Sequence, residues 1–83
     1  MHANLGIKLA QQRQLPEAVD QYQQALRIDP NNAETHNNLG LVLFAMGSKE
    51  EGVREFSTAI RLKPDLTVAH DNLRRAQEKM RER

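Results

Sequence analysis

The chain has 83 residues, 12 basic and 11 acidic, with a net charge of +1. That length bounds one small domain without room for a deep substrate cavity, and the charge balance gives no electrostatic footprint for nucleic acid or an anionic membrane. The absence of cysteine excludes a disulfide framework, a thiolate nucleophile and a Cys-type zinc site, and fits a reducing, cytoplasmic compartment.

Leu5, Leu9 and Ala10, with small Gly6 between them, follow the spacing of one helical face and predict a first helix. Gln11 to Gln14 is a polar turn. Pro16 and Glu17 then suit a first helical turn, where a missing N–H costs nothing and a carboxylate meets the positive dipole end. This second helix is expected to bury Ala18, Val19, Tyr22, Ala25, Leu26 and Ile28, and to stop at Asp29-Pro30-Asn31-Asn32. Asn31 or Asn32 caps a third helix whose apolar side carries Leu39, Leu41, Val42, Leu43, Phe44 and Met46. Gly47 ends it as a left-handed residue would, and Ser48-Lys49-Glu50-Glu51 has the pattern of a capping box for a fourth helix. That helix runs through Val53, Phe56, Ala59, Ile60 and Leu62 to Lys63-Pro64-Asp65. A fifth begins near Val68 and continues to the end. No apolar run in this succession approaches the ~20 residues that span a bilayer.

The order of types recurs every 34 positions. His2, His36 and His70 align, as do Asn4, Asn38 and Asn72, then Leu5, Leu39 and Leu73; Gly6 pairs with Gly40, Ala25 with Ala59 and Pro30 with Pro64. A period of this length means stacked supersecondary units that cannot bury their apolar faces singly. The fold expected is all-α, a right-handed α-solenoid of antiparallel helix pairs. The single domain 1–83 divides into a first repeat 1–32, a second 33–66 and a capping helix 67–83. In the cap, Arg74 stands where the earlier repeats have Gly6 and Gly40, and the helix turns polar beyond Ala76, as a terminal helix facing water requires. Met1 falls opposite Thr35, inside a helix of the repeat, as expected of a unit cut from a longer array.

Leu39-Gly40, Gly47, Phe56, Ala59 and Pro64, with Leu5-Gly6, Ala18, Tyr22, Ala25 and Pro30 one repeat earlier, resemble the tetratricopeptide repeat. Two departures stand out: histidine occupies the usual Trp or Tyr position at 2, 36 and 70, and Gly52 replaces the usual alanine. The resemblance implies a protein-interaction scaffold that holds a partner peptide in a concave groove lined by the first helix of each repeat. It places Asn4 and Ile7, then Asn37, Asn38, Leu41 and Phe44, then Asp71, Asn72 and Arg75 in that groove.

The row Asn4, Asn38 and Asn72 resembles the asparagine ladder in the repeat domain of O-linked N-acetylglucosamine transferase. A carboxamide offers donor and acceptor together and can pair with a peptide backbone; the competing reading is that these asparagines bond within the solenoid. The positions at which repeats of this family grip the carboxylate tails of chaperones map to Ala3, Ile7, Asn38, Val68 and Asn72, and only Asn38 carries the expected type. Three histidines on stacked helices cannot converge on zinc, since ligands must lie within ~2.1 Å of one point while packed helices are ~8–10 Å apart. They are expected to be satisfied packing side chains. With no phosphate-cradling glycine loop and Ser48 explained as a cap, the chain reads as a non-enzyme without cofactor or metal. Self-assembly is the alternative function: two repeats bury little surface, and Leu5, Ile7, Leu9 and Leu15 could face a second copy.

Overall fold

The computed structural model describes residues 14–82, which form four helices and no strand: α1 (Leu15–Ile28), α2 (Ala33–Ala45), α3 (Lys49–Leu62) and α4 (Thr67–Arg81). The helix expected before α1, carrying Leu5, Gly6 and Leu9, lies outside the described residues. The four helices form an all-α helical-repeat solenoid, in which α2 packs most closely on α3, and α1 and α4 lie against α2 and α3 respectively. No helix is long and apolar enough to cross a membrane among the described residues.

The local signals differ in how they are realised. Asn32, rather than Asn31, caps α2: its backbone is extended, and its side-chain oxygen accepts from the Thr35 N–H at 3.0 Å. Gly47 adopts φ +93°, and the Ser48 N–H reaches back to the Leu43 carbonyl at 2.9 Å while the Gly47 N–H reaches Phe44 at 3.1 Å. This is the Schellman arrangement, which satisfies the last carbonyls of α2. The same closure alters Ser48. It precedes α3 as expected but forms no capping hydrogen bond, so the capping box is not made. Its backbone, with ψ 65°, departs from the extended geometry that Asn32 adopts at ψ 100° and that a capping side chain favours.

Two buried clusters hold the stack. Ala18 and Tyr22 of α1 meet Leu39 and Val42 of α2, flanked by Leu15, Val19, Leu26 and Leu43. Leu15, expected at an open edge, therefore packs into this cluster, while Leu5, Ile7 and Leu9 lie outside the described residues. Ala33, Ala59 and Ala69 bring α2, α3 and α4 together, with Ile60, Leu62 and Leu66 around them; three alanines let three helices approach closely. Ile28, expected inside, is 76% exposed. It sits on the last residue of α1, well round the helix from the Ala18–Tyr22 stripe.

The α2–α3 crossing shows why Gly40 and Gly52 are glycines. A Cβ on Gly40 would lie 2.7 Å from the Phe56 ring and 2.9 Å from the Gly52 carbonyl, and one on Gly52 would lie 2.8 Å from the Gly40 carbonyl. Glycine at position 52, where the repeat normally carries alanine, thus matches a crossing closer than a methyl group permits. Phe56, 1% exposed, fills the space beside it.

Candidate functional site

A groove of about 190 Å³ opens beside α2 and α4, lined by Leu41, Phe44 and Ala45 from α2, Asn72, Arg75, Ala76 and Lys79 from α4, and Phe56 from α3. On α4 the lining residues fall at i, i+3, i+4 and i+7, one helical face. The small side chain of Ala76 helps to open the groove. At the equivalent position one repeat earlier, Val42 is buried against α1, where the larger side chain fills the interhelical space. The groove is smaller than the ~300–1,000 Å³ of typical small-molecule sites, so its size suits a side chain of a partner.

The structure brings four of the sequence-predicted residues into this groove: Leu41, Phe44, Asn72 and Arg75. Leu41 is 46% exposed although apolar, leaving a hydrophobic surface uncovered. Phe44 is half-buried, and the Lys49 ammonium stands 5.9 Å from its ring centroid, at the outer range of a cation–π contact. Asn38 is half-buried, does not line the groove and makes no hydrogen bond among the described residues.

Asn37 differs from the surface residue expected. It is 4% exposed, and its Oδ1 accepts from Asn72 Nδ2 at 2.9 Å, tying α2 to α4 beside the groove. Asn38 and Asn72, equivalent in sequence, therefore differ: Asn72 spends a donor on Asn37, while Asn38 makes no hydrogen bond among the described residues. Asp71 does not line the groove; it pairs with Arg74 at 3.4 Å in an exposed i, i+3 contact that contributes little in water. Asn4 and Ile7 lie outside the described residues.

Sequence reasoning missed Ala45, Phe56, Ala76 and Lys79. Lys79 was legible as the i+4 partner of Arg75, and Ala76 as the small replacement for Val42. Phe56 reaches the groove floor from α3, which no reading of the first helices of the repeats would include.

The recurrent histidines find backbone partners. The Nε2–H of His36 donates to the Pro30 carbonyl at 2.8 Å, and that of His70 to the Pro64 carbonyl at 2.7 Å, the same i, i−6 clasp in successive repeats. A carbonyl only accepts, which fixes the proton on Nε2. His36 Nδ1 also donates to Glu55 Oε1 at 2.7 Å, so both its ring nitrogens face acceptors and the contact fastens α2 to α3. Each histidine thus holds the turn that precedes its helix, a polar substitute for an aromatic packing residue. Among the described residues no group of three or more His, Asp or Glu side chains is placed to hold a metal. Away from the groove, burial pushes the pKa of the Tyr22 hydroxyl above its ordinary value of 10.0.

Comparison with protein families finds a TPR repeat model matching residues 6–47 and a tetratricopeptide repeat model matching residues 33–66. No match is found among curated protein sequences. Among solved structures, the chain is similar to the first TPR of Spaghetti (RPAP3) bound to the HSP90 peptide SRMEEVD. The TM-score is 0.92 at 16% identity, over 98% of this chain and 64% of that chain. The present chain thus spans less than two thirds of the length of that structure.

Proposed function

The chain belongs to the tetratricopeptide repeat family, a protein-interaction fold, and we propose that it binds an extended or helical segment of a partner protein in the groove between α2 and α4. The observation that carries this reading is the conjunction in one groove of uncovered apolar surface, Leu41 and Phe44, with the Asn72 carboxamide, and Asn38 lies one helical turn before Leu41 on α2. The apolar floor supplies desolvation, and Asn38 can both donate to and accept from a peptide backbone unit. The similar fold that carries an HSP90 peptide supports a peptide as the ligand class. Among the described residues the groove lining contains no paired nucleophile and base, which favours a binding role over catalysis.

In this reading the repeats 1–32 and 33–66 and the helix 67–83 act together as one interaction unit.

The direct test is an NMR titration of the uniformly labelled protein with a peptide selected from a random library. Amide shifts concentrated at Asn38, Leu41, Phe44, Asn72 and Ala76 are the expected result. Shifts confined to the outer faces of α1 and α3 would overturn the groove as the site.

A further inference from the structure

We propose that the groove selects an acidic, amphipathic internal segment of its partner. One aliphatic or aromatic side chain sits on Leu41, Phe44 and Ala76, and flanking carboxylates meet Arg75 and Lys79. This rests on the groove being the binding site and adds the chemistry of the occupant.

The charge around the groove is one-sided. Among the described residues its ionisable lining consists of Arg75 and Lys79, with no carboxylate, and Lys49 stands nearby against the Phe44 ring. None of these three cations forms an ion pair among the described residues. Carboxylates lie nearby but outside the groove lining: Asp71 makes an exposed contact with Arg74, and Glu50 and Glu82 border a separate shallow depression together with Lys49 and Lys79. The chain as a whole is almost neutral at +1, so the cluster is a local feature rather than a sample of a basic surface.

Complementing the helix dipole explains Lys79 and Arg81 in the last turn of α4, but it does not require Arg75, earlier in the helix, to face an apolar groove. Unpaired cations beside uncovered hydrophobic surface match a ligand that brings carboxylates next to an apolar anchor. Neutral or basic ligands would leave these charges uncompensated or repelled.

The test is selection from a random peptide phage library, followed by anisotropy titration of the recovered sequences, N-acetylated and C-amidated so that no terminal carboxylate contributes. The expected peptides carry two or more Asp or Glu within three residues of a Leu, Ile, Met or Phe. Replacing one such carboxylate by its amide should weaken binding ~3–5-fold. Joint reversal by Arg75→Glu and Lys79→Glu should weaken it about tenfold or more and improve binding of the Lys-substituted peptide. Both residues are exposed, and an unchanged circular dichroism melt confirms that the variant folds. Neutral or basic peptides that bind the groove, or acidic peptides indifferent to the reversal, would overturn this inference and leave groove binding intact. Recovered peptides that never perturb groove resonances would overturn both.

Discussion

The α2–α3 crossing and the α2–α4 groove use the same helix to opposite ends. Toward α3, α2 presents Gly40 to the Gly52 backbone and the Phe56 ring so closely that no Cβ fits. Toward α4, it shares one hydrogen bond, Asn37 to Asn72, and leaves Leu41 and Phe44 partly uncovered above Ala76. The first contact is dry and intolerant of added volume, the second open and held by polar groups. The difference teaches where a repeat can vary: residues at the crossing set the fold, and residues one helical face away are free to set a partner.

The contrast is broken most severely at Phe56. Phe56→Ala empties the fully buried side of the crossing and is expected to cost ~3–5 kcal/mol. Since each kcal/mol shifts the midpoint of a small domain by ~4–8 °C, thermal melting will show it plainly. Gly40→Val adds volume to the same crossing; the nearest atoms include the Gly52 carbonyl, which cannot rotate away. A loss of ~1–3 kcal/mol is expected, and a melt within a degree of the parent would show that the helices can separate without penalty.

At the groove the effects shrink. Asn37→Ala removes the acceptor of the Asn72 donor and should cost ~1 kcal/mol. Combined with Asn72→Ala it should cost clearly less than the sum of the two single losses, because both remove one bond; strict additivity in chemical denaturation would show that the bond carries no coupling. Tyr22 offers a pH readout of the other core cluster. Burial raises its pKa, so the folded state holds the proton more tightly than the unfolded chain. Stability is therefore full below about pH 10 and falls as pH rises beyond it. Tyr22→Phe should abolish that alkaline loss; persistence of the loss would assign it to other groups. Smallest in stability is Asn38→Ala, expected within ~0.5 kcal/mol of the parent, yet it should weaken peptide binding. Equal loss of both would make Asn38 structural.

The 34-residue recurrence made the helix pairs, Gly40, Phe56 and Ala59 legible, and a glycine just past the last apolar residue of α2 made the left-handed Gly47 legible, because each answers to sterics that a residue type expresses directly. Ser48 was misread because the preceding Schellman turn, not its own side chain, fixes its backbone. The histidine recurrence was visible, but its partner is a main-chain carbonyl six residues back, which leaves no mark in the sequence. The groove was half legible. Leu41, Phe44, Asn72 and Arg75 follow from the family resemblance and its helical register, whereas the floor depends on how α3 projects Phe56 beneath α2, a tertiary fact. The asparagine row looked uniform because position in the repeat is shared, yet Asn72 bonds to Asn37 whereas Asn38 makes no hydrogen bond among the described residues.

The central claim, that one side of α2 is architecture and the other recognition, is tested most directly at Leu41. Because it is 46% exposed, Leu41→Asp removes little buried surface and puts a carboxylate into the groove. Melting and peptide titration of this single variant should give a midpoint within a few degrees of the parent, by the size of exposed-site effects, and binding weakened at least about tenfold. A collapsed melting temperature with peptide affinity retained would contradict the division.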